Sequence, residues 1–176
     1  MDIHGKAFEL FWKLYNENYN FSKIIDNNFE KGKIRFFNDI EWNKIKQQNF
    51  IPYQDQEINE FIDMFLLGYN IGNCVGTSIQ LSFSYNKVDI VSGILPILKG
   101  TLNAEKEGGH CWLETPESII DTTLMLVIDK SLKSDLGYIE EQRRTYKDLS
   151  NSSRYLARKK FVIAKDLNTG KKVGNS

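Results

Sequence analysis

A thiol, an imidazole and a carboxylate occur in this sequence in an order that suits nucleophilic catalysis. Cys74 comes first, His110 follows within the segment Gly-Gly-His-Cys-Trp-Leu-Glu at 108–114, and Asp121 comes last. A neutral thiol is a poor nucleophile, and a nearby imidazole can take its proton to form a thiolate–imidazolium pair. A carboxylate can hold the ring in the useful tautomer and stabilise its cation. We therefore take these three residues as candidate nucleophile, base and orienting acid.

The local pattern around Cys74 predicts that this residue lies in the first turn of a helix. Asn73, or Thr77 with Ser78, is suited to capping a helix start. The alternation of apolar residues over 79–85 is instead typical of a strand, and this alternative stays open. We favour the helix because the alternating pattern is short. In that case the free backbone N–H groups of the first turn would favour a thiolate at Cys74.

His110 and Asp121 are predicted to lie on neighbouring antiparallel strands. Residues 110–114 and 119–128 have the apolar content of two strands, and 115–117 can form a tight connection between them. Counting inward from both ends sets His110 opposite Asp121 about a centre near residue 115 or 116. Side chains opposite one another on antiparallel strands are neighbours. The sequence thus predicts that the ring and the carboxylate lie side by side.

Four further residues are candidates for the cleft or for supporting the three: Asn73, Trp112, Glu114 and Thr122. Trp112 is a candidate cleft wall and equally a candidate core residue. Glu114 falls on the same strand face as His110, where a solvated charge is the simpler expectation. Cys111 should point to the opposite face and belong to the core.

Each of the three also has an ordinary interpretation. A cysteine in an apolar sequence is commonly a small buried hydrophobe. A histidine is commonly a satisfied structural residue, and an aspartate can bond the N–H groups of a turn. Their joint occurrence in this order favours the catalytic interpretation.

The remainder of the chain predicts an α+β fold, with amino-terminal helices followed by a helix opening at Cys74 and an antiparallel sheet. We expect one domain over 1–176, with a helical lobe at 1–70, the Cys helix and sheet core at 71–165, and a frayed tail at 166–176. Predicted helices cover 5–18, 21–30, 40–48 and 55–69, and a bent strand covers 88–98. A short helical turn at 131–136, a charged helix at 138–149 and a last strand at 155–165 complete the prediction.

Composition and charge predict a protein without a metal site or a membrane segment, and they leave nucleic-acid contact as an alternative. The 23 basic and 23 acidic residues balance, but ten of the basic ones fall within 143–176. Within that stretch, Arg154, Arg158, Lys159 and Lys160 flank two aromatic residues, which suggests a possible nucleic-acid contact. The chain has no CxxC or HxxxH pair, so we expect no metal site and no cofactor. We expect a cytoplasmic protein without a membrane segment.

The segment over about 70–125 resembles the transglutaminase-like branch of the papain-like cysteine enzymes. Members of that branch show His-Ala-Trp-Val-Glu followed by Val-Asp-Pro-Thr. The matching residues here are His110, Trp112, Leu113 and Glu114, then Ile120, Asp121 and Thr123. Cys111 replaces the usual small residue and Thr122 replaces the usual proline.

The resemblance implies a cysteine protease, amidase or transamidase that acts on an amide through Cys74, His110 and Asp121. A protein or peptide substrate would then be expected. The alternatives are a non-catalytic binding module on the same fold, or nucleic-acid contact through the basic carboxyl-terminal end.

Overall fold

The computed structural model describes residues 3–41, 74–101, 107–157 and 159–160. The helices are α1 (Ile3–Glu17), α2 (Tyr19–Phe29), α3 (Cys74–Ser82) and α4 (Tyr146–Ser150). The strands are β1 (Ile34–Phe36), β2 (Asp89–Ile94), β3 (Gly109–Glu114), β4 (Ser118–Asp121), β5 (Leu126–Asp129) and β6 (Ile139–Arg144). Short 3-10 turns occupy Pro96–Leu98 and Lys130–Leu132, and 153–157 with 159–160 are helical.

The fold is mixed α+β, as the sequence predicts, and centres on one antiparallel sheet. Its six strands run in the order β1-β5-β4-β3-β2-β6. Strand β3 lies inside the sheet between β4 and β2, and every residue of β3 is buried. β3 is therefore an inner strand: Leu113 and Glu114 pair with β4, and His110 pairs with Gly93 of β2.

Alternation along the strands divides the core between the two faces of the sheet. Side chains of one parity pack with α3, in a cluster that includes Cys74, Val75, Ile79, Cys111, Leu113 and Ile120. Side chains of the other parity pack with α1 and α2, in a cluster that includes Phe11, Phe21, Trp112, Ile119 and Leu126. Because successive strand residues point to opposite faces, each central strand contributes to both clusters.

The predicted helices at 5–18 and 21–30 are confirmed as α1 and α2, with small shifts at their ends. The predicted helix over 40–48 is described only at its start. There Asn38 forms the cap: its side chain accepts the N–H of Glu41 at 3.1 Å, and the Glu41 carboxylate accepts the N–H of Asn38 at 2.7 Å. This reciprocal arrangement satisfies two backbone donors.

The prediction of one strand over 119–128 was wrong, because a turn at 122–125 divides it into β4 and β5. Asp121 accepts the backbone N–H groups of Thr123 and Leu124, each at 2.9 Å, and so stabilises the turn. Met125 has a positive φ of 57° at the end of it. The apolar residues of the turn hide the break, since Leu124 and Met125 are buried like strand residues.

Two predictions near the carboxyl end were also wrong. The charged helix expected at 138–149 is instead β6 followed by the short helix α4, because the charges of β6 belong to an edge strand paired with β2. The strand expected from 155 begins in a helical segment that reaches 160. Tyr155 anchors this segment, since its hydroxyl lies 2.8 Å from that of Ser82 in α3.

Other expectations have simpler outcomes. The helical turn near 131–136 is confirmed in part by the 3-10 turn, and the three-residue strand β1 was missed. The expected helix over 55–69, the rest of the helix over 40–48 and the tail at 166–176 lie outside the described residues. None of the described helices has the length and apolar character needed to cross a membrane.

Gly93 lies in β2, where it pairs with His110 of β3 on one side and with β6 on the other. A glycine is required at this position because β6 approaches closely. A β-carbon at this position would collide with the backbone carbonyl of Ile139. We expect Gly93→Ala to lower the free energy of unfolding by about 3 kcal/mol, the upper range for overpacking. Urea denaturation measures this loss.

Gly100→Ala is the matched control for Gly93→Ala. Gly100 has a φ of +77° but nothing lies within 4 Å of its added β-carbon. Only backbone strain of about 1 kcal/mol should result. Equal losses in the two variants would contradict the role assigned to Gly93.

Candidate active site

Cys74 lies in a helix, α3, and is the first residue of that helix that the structure describes. Its side chain belongs to the core cluster between α3 and the sheet, and the residue is 5% exposed. The Ser78 hydroxyl, one turn along, donates to the Cys111 carbonyl at 3.4 Å and ties α3 to β3. Cys74 is therefore fixed in the layer of α3, on the face of the sheet that also carries Cys111.

His110 and Asp121 are in direct contact. The ring Nε2 lies 2.7 Å from Asp121 Oδ2, and both residues are fully buried. The detailed register prediction was wrong: the β3–β4 ladder pairs Leu113 with Ile120 and Glu114 with Ile119, so His110 and Asp121 are offset by two residues. An offset of two preserves the face of the sheet, and long side chains still meet along this diagonal.

Both oxygens of the Asp121 carboxylate accept hydrogen bonds. Its Oδ1 accepts two backbone N–H groups of the following turn, and its Oδ2 accepts the hydroxyl of Tyr138 at 2.6 Å beside His110. Asp121 therefore both stabilises the turn that follows β4 and orients the His110 ring. The backbone bonds fix the carboxylate before it meets the ring.

The electrostatics of the pair favour an imidazolium beside a carboxylate. Burial alone would lower the pKa of His110, but the charge and hydrogen bond of Asp121, with a smaller contribution from Cys74, raise it from 6.5 to about 10. Burial would raise the pKa of Asp121, yet its interactions with His110 and Tyr138 lower it below the ordinary value. At neutral pH the ring is accordingly protonated and the acid ionised.

The second ring nitrogen of His110, Nδ1, is buried and has no hydrogen-bond partner among the described residues. Nε2 is occupied by Asp121, so Nδ1 is the ring nitrogen that remains available. Cys74 is the one other described residue that contributes to raising the pKa of His110, and its contribution is smaller than that of Asp121.

Cys74 and His110 belong to different layers of the structure. Strand alternation puts the ring on the Trp112 face, whereas α3 packs on the Cys111 face. The described pairing of β3 with β4 ends at Leu113 and Ile120, and His110 lies beyond it.

Tyr138 is the site residue that sequence analysis missed. It precedes β6, and its ring lies 6.4 Å from that of His110 and 5.0 Å from that of Trp112, measured between centroids. Burial, followed by the charge of Asp121, raises the pKa of its hydroxyl well above the usual value. Tyr138 therefore remains a donor to Asp121 over the ordinary pH range. No periodicity connects Tyr138 with Asp121, which lies 17 residues earlier.

Trp112 lies in the core and flanks the ring. It is fully buried, and its indole stacks on His110 at 5.9 Å between centroids. The prediction that Trp112 is a core residue is therefore confirmed. Its indole packs beside the His110 imidazole inside the protein and does not face solvent.

The expectation that Glu114 is a solvated charge was wrong. Its buried carboxylate accepts the Trp112 indole N–H at 2.9 Å and pairs with Arg143 and Lys133 at 2.6 Å each, and with Lys130 at 3.3 Å. Burial would raise its pKa, but Lys133, Trp112 and Arg143 lower it to about 2. Sequence analysis did not find these cations because they lie on the segment after β5 and on β6. Glu114 thus fixes Trp112, which in turn flanks His110.

Of the three remaining candidate residues, the structure describes two, Cys111 and Thr122. Cys111 is fully buried on the α3 face, as predicted, and burial raises the pKa of its thiol well above the usual value. Thr122 is buried next to Asp121, and its hydroxyl has no hydrogen-bond partner among the described residues. Asn73 lies outside the described residues.

The basic carboxyl-terminal cluster is not a uniformly free charged surface. Lys159 donates to the Tyr85 carbonyl at 2.9 Å and so helps to attach the last helical segment. Arg154 and Lys160 are exposed on that segment, and Arg158 lies outside the described residues. These residues are not close in sequence or by any described contact to the Cys74 site.

We expect His110 to remain protonated well above neutral pH because of Asp121. The chain has two histidines, so ¹⁵N NMR of ring-labelled protein, assigned with His4→Gln, reports on each. His110 should stay an imidazolium through pH 8, while His4 in the same sample provides the reference. The pKa of His110 in the folded protein lies above the ordinary value of 6.5. The stabilisation that a protonated His110 gives to the folded state is therefore fully present just below pH 6.5 and is lost as the pH rises toward 10. A neutral His110 ring at pH 7 would contradict this assignment.

We expect Tyr138→Phe to raise the pKa of His110 further, because Asp121 Oδ2 then serves the ring alone. Loss of a hydrogen bond to a charged acceptor should also cost about 2 kcal/mol of stability. Tyr155→Phe is the matched control, since its buried hydroxyl meets Ser82 on the other face of the sheet. A His110 titration that responds equally to both substitutions would argue against a specific role for Tyr138.

Comparison of the chain with protein-family models, with curated proteins and with solved structures found no match. The likeness to transglutaminase-like enzymes therefore rests on the residue pattern around His110 and Asp121. The role of the site has to be argued from its own geometry and chemistry.

Proposed function

We propose that the protein is a thiol-dependent acyl-transfer enzyme that acts on an amide through Cys74, His110 and Asp121. The observation that carries this proposal is the ring of His110, which a buried carboxylate holds at Nε2 while the buried Nδ1 has no hydrogen-bond partner among the described residues. A purely structural histidine would be expected to have both ring nitrogens satisfied.

In the first half-reaction the Cys74 thiolate attacks the carbonyl carbon of the amide. The C–N bond breaks, and His110 gives its Nδ1 proton to the departing amine, which leaves a thioester on Cys74. The raised pKa of His110 means that the proton is already on the ring before attack. Asp121 remains ionised and stabilises the imidazolium until transfer.

In the second half-reaction a water molecule or an amine attacks the thioester. The neutral imidazole takes the proton of that nucleophile, the C–S bond breaks, and the thiolate–imidazolium pair is restored. Water gives hydrolysis and an amine gives transamidation. The backbone N–H of Cys74, at the start of α3, is the proposed donor to the oxyanion in both steps.

Unpaired polar groups near the three residues support a functional site. Three buried side-chain atoms lack a hydrogen-bond partner among the described residues: Ser92 Oγ, His110 Nδ1 and Thr122 Oγ1. Ser92 pairs across the sheet with Cys111, next to His110, and Thr122 follows Asp121. Buried polar atoms without partners are costly, and they are commonly found where a protein performs chemistry or binds a polar group.

The remaining parts of the proposal follow from the same likeness. The sheet with a cysteine-bearing helix on one face is what a papain-like or transglutaminase-like fold would require, and a protein or peptide is the proposed substrate. A single cytoplasmic domain is the proposed setting.

Burial favours a second candidate, a binding protein that keeps the arrangement without catalysis. Cys74 is 5% exposed and His110 and Asp121 are not exposed at all. In that case the His110–Asp121–Tyr138 contacts serve only to specify the core. The two candidates differ in whether an acyl donor can reach Cys74.

Acylation by p-nitrophenyl acetate tests the proposal. In Cys111→Ala protein, in which Cys74 is the only thiol, we expect release of p-nitrophenol and an acetyl group on the peptide that contains Cys74. Asp121→Asn should slow acylation by about 10²- to 10⁴-fold, the range for loss of general acid–base assistance. Rapid acid quenching and mass spectrometry identify the thioester.

Cys74→Ala is the blank for p-nitrophenol release, and far-UV circular dichroism establishes that each variant is folded. A folded protein that forms no thioester at Cys74 would overturn the enzymatic proposal in favour of the binding protein. Acylation that is equally fast with and without Asp121 would show that the thiol reacts without the proposed assistance.

A further inference from the structure

A second concave site lies on the opposite side of the sheet from α3, between α1, α2 and β1. It is a cavity of about 500 Å³. Five aromatic residues from these elements contribute to its lining: Phe11, Trp12, Tyr15, Phe29 and Phe36. None of the residues at the Cys74 site lines it among those described.

Phe11 and Tyr15 are stacked at 27°, and the other neighbouring rings of the cavity meet edge to face or tilted, so that the ring faces point in more than one direction. The centroids of Trp12 and Tyr15 are 5.3 Å apart at 78°, and those of Phe11 and Phe36 are 5.0 Å apart at 75°. Trp12 is 48% exposed, an unusual position for the largest apolar side chain. A ring face is electron-rich, and rings set at angles can surround a cation.

The charged groups of the cavity are acidic. Asp26 and Glu30 line it, and no basic side chain does so among the described residues. The Tyr15 hydroxyl donates to Asp26 at 2.6 Å, which holds that carboxylate against the aromatic wall. Exposed aromatic surface with carboxylates at its margin is complementary to a weakly hydrated positive charge.

We propose that this cavity binds a methylated ammonium group. Such a cation has a weakly held hydration shell and an apolar surface, so the rings can contact its methyl groups while Asp26 and Glu30 compensate its charge. An inorganic cation would prefer its water, and a neutral apolar ligand would make no use of the carboxylates. The group could be carried by a free small molecule or by a trimethylated lysine of a protein.

Titration with tetramethylammonium chloride, followed by isothermal calorimetry on the full chain, tests the proposal. We expect saturable binding that 3,3-dimethylbutanol, a neutral ligand of similar shape, does not reproduce. Trp12→Leu should weaken binding about 10-fold, within the range for a cation over an indole. Asp26→Asn and Glu30→Gln should each weaken it as well.

Tyr19→Leu is the matched control, because Tyr19 is an exposed aromatic of the same helix pair, 76% exposed, that does not line the cavity. Cys74→Ala should bind the cation unchanged, so that this proposal and the enzymatic one fail separately. A peptide with trimethyllysine that competes better than its unmethylated form would assign a protein source, and competition by free cations alone would assign a small molecule. Absence of saturable binding, equal binding of the neutral ligand, or no effect of Trp12→Leu would overturn the proposal.

Discussion

The site depends on one carboxylate. Asp121 receives two backbone N–H groups on one oxygen and the His110 ring and Tyr138 hydroxyl on the other. The backbone bonds end β4 and form the turn to β5, so the residue that shapes the sheet also fixes the imidazole. A buried acid in these contacts is stable only as an anion with its partners in place. The orientation of the ring is therefore set by the fold itself.

The sheet places the thiol and the imidazole in different layers. Cys74 lies with α3 on one face, and His110 belongs by alternation to the other. His110 lies past the last described pair between β3 and β4. On the far side, Trp112 flanks the ring and is itself held by Glu114, whose charge is neutralised by Lys133 and Arg143.

Local sequence signals predicted the parts of this arrangement that depend on neighbours in the chain. Local patterns correctly predicted that Cys74 lies in a helix, and alternation correctly separated Cys111 from His110. Signals of this kind could not give Tyr138 or the cations around Glu114, because those contacts depend on how distant strands pair. The turn at 122–125 was missed because its residues are as apolar as the strands beside it, and Asp121 stabilises a break that hydrophobicity does not show.

The central proposal, that His110 and Asp121 activate the Cys74 thiol as a nucleophile, is tested most directly by the rate of alkylation with iodoacetamide as a function of pH. Peptide mapping separates Cys74 from Cys111, which serves as an internal reference in the same molecule. The account predicts that Cys74 reacts well ahead of Cys111 at mildly acidic pH, and that Asp121→Asn removes this advantage while the protein stays folded. Slow, equal labelling of the two cysteines in the unaltered protein would contradict it.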